Sequence, residues 1–126
     1  MSALYTARIV TDFAAAHQLH GYDGPCARLH GHNWKVEVEA ECRDLNDIGI
    51  SIDFKDLKTA TRELTEALDH RNLNEIPPFD RENPTAENIA AWLYRELGAK
   101  LNDGRVRVRS VTLWETERAC VRYSED

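Results

Sequence analysis

No stretch of this 126-residue sequence approaches the roughly 18 uninterrupted apolar residues that a membrane span requires. The opening residues, Met1 to Arg8, lack the basic segment and apolar run of a signal peptide, so the expected compartment is the cytosol. Basic charge is also short. Lys and Arg total 16 against 22 Asp and Glu, a formal charge of −6. Phosphate contacts dominate nucleic-acid affinity, so this balance argues against a nucleic-acid partner; an anionic small molecule could still bind in a locally basic pocket. Cys26, Cys42 and Cys120 are odd in number and lack CxxC spacing, which reads as free thiols in a reducing compartment. There is no Gly-rich nucleotide loop, no repeat and no low-complexity tract. What is present is enough chain for one domain over residues 1–126, with 42% apolar and 30% charged residues. That is the composition of a compact fold with one core.

The pattern of apolar residues divides the chain. Over residues 4–17, Tyr5, Ala7, Ile9, Phe13, Ala15 and His17 share one side and Arg8 and Asp12 the other, a period of two that predicts a strand. Residues 30–42 alternate more cleanly. His30, His32, Trp34, Val36, Val38, Ala40 and Cys42 face one way, and Lys35, Glu37, Glu39 and Glu41 the other, as in a half-buried antiparallel strand. Gly21 and Asp23-Gly24-Pro25 mark a turn between them. Asp53 is placed to cap a helix running to about Leu68, with Leu57, Ala60, Leu64, Ala67 and Leu68 as its apolar stripe. Pro77-Pro78 breaks the chain. A second helix begins near Thr85, with Glu87 in its positive first turn and Ala86, Ile89, Leu93, Leu97 and Leu101 on its buried stripe. Two strands follow, about 105–115 and 118–123, with a slip in alternation between Val108 and Val111 that predicts a bulge. The order is ββααββ, an α+β fold. Its simplest packing is a four-stranded antiparallel sheet with both helices on one face.

His30-Gly31-His32 carries the most chemistry. Residues i and i+2 of a strand point the same way, about 7 Å apart along the chain, which suits chelation of one ion. His17 ends the preceding strand, and an antiparallel return would bring it to the same place. Three imidazoles around an open fourth position describe a catalytic zinc site better than a structural one, although imidazole also accepts iron or manganese. Cys26 lies four residues before His30. A thiol beside a divalent cation loses its proton more readily and could then serve as a fourth ligand, a nucleophile or a general base; spacing does not choose. His20 has no assigned part and reads as a solvated loop residue.

Three further groups stand out, the first two with two readings each. Asp69-His70 could be a surface pair finishing a helix, or an imidazole whose tautomer a carboxylate fixes. Trp114-Glu115-Thr116-Glu117 could be a plain hairpin turn, but a buried Glu115 would offer two oxygens to a planar, amidine-like donor edge. Arg105, Arg107 and Arg109 read best as cross-strand partners of Glu37, Glu39 and Glu41.

Taken in order, several segments resemble one family closely: Phe13-Ala14-Ala15-Ala16-His17, Cys26-Ala27-Arg28-Leu29-His30-Gly31-His32-Asn33, Ile52-Asp53-Phe54, Leu68-Asp69-His70, Asn83-Pro84-Thr85-Ala86-Glu87 and Trp114-Glu115-Thr116. They are similar to the superfamily of 6-pyruvoyltetrahydropterin synthases and 6-carboxytetrahydropterin synthases. The three residues between Cys26 and His30 resemble the 6-carboxy type; the 6-pyruvoyl enzymes typically have a longer spacing.

The resemblance implies a tunnelling fold (T-fold) and a homohexamer of two stacked trimers, with each site at a subunit boundary. It implies a zinc-dependent lyase that converts 7,8-dihydroneopterin triphosphate to 6-carboxy-5,6,7,8-tetrahydropterin, acetaldehyde and triphosphate, in 7-deazapurine synthesis of the queuosine type. On this chain His17, His30 and His32 would bind Zn2+ and Cys26 would take protons from the substrate. Asp69 and His70 would complete the proton relay, and Glu115 would anchor the pterin. Arg28 and Arg71 neighbour these residues and are candidates for the triphosphate. Two other readings remain beside this one: the 6-pyruvoyl activity, which loses triphosphate but keeps the side-chain carbons, and a non-catalytic metal-binding protein of the same fold.

Overall fold

A computed structural model describes residues 3–126. Strand β1 is Tyr5–His17 and β2 is His30–Cys42. They form a long antiparallel hairpin whose register runs without a break from Tyr5 opposite Cys42 to His17 opposite His30. Residues directly opposite each other share a face, so Phe13 meets Trp34 and Ala15 meets His32 on the same side as His17 and His30. The period-two pattern of the sequence has this physical outcome: one face apolar and buried, the other lined by Glu37, Glu39 and Glu41.

Helix α1, Phe54–Glu66, begins where Asp53 accepts a hydrogen bond from the Lys55 N–H. Helix α2, Ala86–Leu101, is capped by Thr85, whose hydroxyl accepts from the Asn88 N–H. Each cap satisfies one of the donors that a helix start leaves free. The helices pack on each other, α1 against β1 and α2 against the two C-terminal strands. The core between helices and sheet is built on Trp34, Leu57, Leu68, Ile89, Leu93, Leu97, Val108 and Leu113, all fully buried. Trp34 also donates its indole N–H to the Ala15 carbonyl across the hairpin.

Strand β4, Val106–Thr116, pairs antiparallel with β2, and β5, Ala119–Tyr123, pairs with β4. The bulge expected between Val108 and Val111 is present. Glu39 faces Ser110 and Ala40 faces Val108, so Arg109 is the extra residue on β4. Arg107 and Arg109 both reach Glu41, at 3.8 and 3.6 Å. Glu39 instead holds Arg122 of β5 and Ser110, and Arg105 donates to the Asp44 carbonyl.

The sheet differs from the sequence-based expectation in one respect. It has five strands in the order β3-β1-β2-β4-β5, because Arg71–Asn72 forms a short strand, β3, parallel to β1 at Ala15 and Ala16. The sheet is therefore mixed rather than wholly antiparallel. Two residues carry no periodicity, so composition offered no sign of β3. Its consequence is local: it lays the segment after His70 along the histidine end of β1.

Among the described residues, no helix is long and apolar enough to cross a membrane.

Candidate metal centre

The register of the β1–β2 hairpin brings three imidazoles together at the end joined by the 18–29 loop. His17 and His30 stand directly opposite each other, and His32 lies one pleat along the same face. Their rings are in edge contact, with centroids 4.6 Å apart for His17 and His30, 5.3 Å for His17 and His32, and 4.7 Å for His30 and His32. Fully buried Trp34 closes the floor against His17 and His32. Glu115, near the end of β4, contributes a carboxylate oxygen to the group. One ligand atom from each of His17, His30, His32 and Glu115 lies within 4.8 Å of every other.

Main-chain carbonyls decide which nitrogen of each ring faces inward. A carbonyl can only accept, so the Nδ1 of His17, 2.7 Å from the Pro84 oxygen, carries the proton. The Nδ1 of His30 is likewise held at 2.7 Å by the Arg28 oxygen. Both Nε2 atoms are then unprotonated in the neutral rings, yet they face each other at 3.0 Å. Two lone pairs at that distance repel unless a proton or a cation lies between them. Burial lowers the pKa of His17 and also of His32, with Glu115 partly opposing the shift at His32. Burial thus works against the proton. His32 Nε2 is itself buried without a hydrogen-bond partner, 3.4 Å from Glu115 Oε1. An orphaned buried nitrogen, two opposed lone pairs and a nearby carboxylate fit a divalent cation of the kind that imidazole prefers. The Pro84 and Arg28 carbonyls are the outer partners that ligating histidines ordinarily have.

The other residues singled out in the sequence fall into two places. Cys26 sits half-buried in a short 3-10 turn, Pro25–Ala27, and its sulfur does not join the four clustered ligand atoms. Exposed Arg28 follows that turn and meets the centre through its carbonyl. Asp69, His70 and Arg71 lie instead at the β3 edge. His70 adopts a left-handed conformation, φ 59°, and donates its N–H to the Ala14 carbonyl. Asp69 accepts from the Ala14 N–H at 2.8 Å and from His70 Nδ1 at 2.9 Å. These hydrogen bonds, the Ala14 one foremost, hold the Asp69 carboxyl below its usual pKa. The His70 side chain is 82% exposed. An open cleft of about 520 Å³ runs from His32 and Gly31 over Ala14 and Ala16 to His70 and Arg71; of the four clustered residues only His32 lines it. Gly31 has open space where a Cβ would stand, with the Ala15 carbonyl at 3.8 Å as its nearest neighbour.

His20 is more engaged than a solvated loop residue. Asn83 bonds both its main-chain groups and Asn74 lies 3.3 Å from its Nε2. The parts played by Asn74, Asn83 and the Pro84 carbonyl were not visible as motif chemistry; the only signal was an Asn-Pro-Thr helix start.

A family described as 6-pyruvoyl tetrahydropterin synthase matches residues 6–126. The chain belongs to that family. Its members are enzymes, and relatives carry more than one activity in their names. A 6-carboxy-5,6,7,8-tetrahydropterin synthase from Synechocystis sp. is 38% identical over 117 residues, covering 88% of this chain and 86% of that protein. A dihydroneopterin monophosphate aldolase from Pyrococcus furiosus is 39% identical over 87 residues, covering 69% and 70%. The 6-pyruvoyl tetrahydropterin synthase of Caenorhabditis elegans has a solved structure that superposes with a TM-score of 0.89. It is 26% identical, and the match covers 99% of this chain and 98% of that one. The T-fold assignment follows from this match and from the family.

Proposed function

We propose that this family member is a zinc-dependent lyase acting on 7,8-dihydroneopterin triphosphate. With one water consumed, the products are 6-carboxy-5,6,7,8-tetrahydropterin, acetaldehyde and triphosphate, in the service of 7-deazapurine synthesis of the queuosine type. The observation that carries the reading is the convergence of three imidazole Nε2 atoms whose Nδ1 protons or surroundings leave them free for a cation. Support for the product comes from the name of the Synechocystis relative.

His17, His30 and His32 would hold the ion. Zinc, when bound, supplies a Lewis acid that polarises substrate oxygens and lowers the pKa of hydroxyls. The remaining work belongs to the chain. Cys26 takes a proton from the substrate side chain, and His70 returns one, each as a positioned acid–base group. Asp69 fixes the His70 ring through Nδ1, leaving Nε2 to exchange the proton. Glu115 offers its carboxylate to the planar donor edge of the pterin, as carboxylates do to guanidinium groups. Arg71, which lines the cleft, and exposed Arg28 would receive the triphosphate.

Assembly into a homohexamer is part of the reading. Among the described residues, the outer edge of β1 carries no strand beyond β3, which pairs with Ala15 and Ala16. A free edge of that kind is a template for pairing with another copy.

The 6-pyruvoyl reading draws on the Caenorhabditis elegans neighbour, and a monophosphate substrate on the Pyrococcus furiosus relative. One assay separates all three. The protein is incubated in parallel with 7,8-dihydroneopterin triphosphate and with the monophosphate, products are identified by mass and aldehyde is trapped. The expected result is one acetaldehyde and one triphosphate per 6-carboxytetrahydropterin. Triphosphate release with no acetaldehyde would select the 6-pyruvoyl reaction. Turnover of the monophosphate alone would remove the triphosphate substrate.

A further inference from the structure

Two asparagines outside the proposed reaction grip the chain as it leaves His17. The Asn74 amide accepts from the Gln18 N–H at 2.9 Å and donates to the Gln18 carbonyl at 3.0 Å. The Asn83 amide treats His20 in the same way, at 3.0 Å in both directions. Each side chain therefore imitates one rung of a neighbouring strand. Leu19, between the two gripped residues, turns its N–H elsewhere and donates it to the Cys26 carbonyl at 3.0 Å.

Both asparagines stand on fixed platforms. Asn74 lies in a 3-10 turn, Leu73–Glu75, anchored by fully buried Leu73 and capped by Asn72. The Asn83 carbonyl accepts from the Thr85 N–H and from Asn88 Nδ2, both at 2.8 Å, and its neighbour Pro84 orients His17. The far side of the Cys26 turn is tied as well, since Arg28 accepts from His30 Nδ1. The turn that carries Cys26 is thus bracketed by a metal-site histidine downstream and by Leu19 upstream.

Core packing does not account for the grip. From Gln18 to Leu29 no residue is buried, so two complete amides, reaching 56 and 63 residues along the chain, order a segment that contributes nothing to the interior. Ordering backbone costs conformational entropy, and here the amide hydrogen bonds rather than apolar burial offset it. We propose that Asn74 and Asn83 are positioning residues for Cys26, acting through Gln18, Leu19 and His20 to hold its turn against the metal centre. The proposal rests on the reading of Cys26 as the group that takes the substrate proton.

The test uses the full-length, metal-loaded protein and the Asn74→Ala, Asn74→Asp and Asn83→Asp variants. Hydrogen exchange is followed at the Leu19 amide, together with metal content, kcat and KM. Loss of the Asn74 pairing should speed Leu19 exchange roughly tenfold, because local opening becomes easier by the worth of two hydrogen bonds. At the same time kcat falls, KM holds and metal content is unchanged. The aspartate variants keep the accepting oxygen and should recover part of both effects. Unchanged Leu19 exchange overturns the proposal, as does faster exchange with undiminished kcat. Metal loss in step with kcat also overturns it, because the asparagines would then act on His17. Exchange and metal content need no substrate. A parent protein without lyase turnover would therefore end the reaction proposed above, yet those two readouts would still decide whether the grip holds the Cys26 turn.

Discussion

Cys26→Ala is expected to lower turnover by about 10²–10⁴-fold, the usual contribution of one positioned acid–base group, with metal content unchanged. Two structural facts make this result specific. The Cys26 sulfur is not one of the four clustered ligand atoms, so its removal leaves the imidazole set complete. Its turn is half-buried and outside the core cluster, so an alanine there creates no interior cavity, and stability should change little. The decisive measurement pairs kcat at saturating substrate with metal analysis of the same preparation. If the variant turned over like the parent, the assigned proton transfer would be wrong. A fall in metal and turnover together would make Cys26 a ligand.

His32→Ala is expected to act in the opposite order, on the metal first. Structural zinc sites bind with about 10–16 kcal/mol in peptides, so one ligand among three or four carries about 3–4 kcal/mol. Its loss weakens binding by about 10²–10³-fold at 1.4 kcal/mol per tenfold. His32 is the cleanest of the three positions to change. Replacing His17 would orphan the Pro84 carbonyl in a buried place, and replacing His30 would release Arg28. Both would mix folding or loop placement with metal loss. His32 makes no hydrogen bond through Nε2, and its removal leaves the opposed Nε2 atoms of His17 and His30 in place. Dialysis against a chelator of known affinity, followed by metal analysis, gives the number. Undiminished metal content would exclude His32 from the site.

Much of this arrangement can be read from the sequence, for a definite reason. Strands with one buried face must alternate, and β1 and β2 alternate over thirteen residues each. That alternation alone places His17, His30 and His32 on one face, and the turn residues between them require an antiparallel return. The cap at Asp53, the helix start near Thr85 and the bulge between Val108 and Val111 are legible because each rests on local chemistry. What stays hidden is carried by the main chain or by long-range contacts. Nothing in the residue types shows that the Pro84 and Arg28 carbonyls fix the imidazole tautomers, since every residue has a carbonyl. Strand β3 is two residues long, and its pairing with β1 follows from the Asp69 and His70 corner on Ala14. Asn74 and Asn83 look like turn formers in the sequence, and only their partners give them another part.

The central claim is that turnover depends on one cation held by the three imidazoles. Its most direct test is titration of metal-depleted protein with zinc while acetaldehyde release from 7,8-dihydroneopterin triphosphate is followed. The account predicts no release from the depleted protein, a linear rise with added zinc and a plateau at one zinc per chain. Full release from protein shown to be free of metal would contradict it.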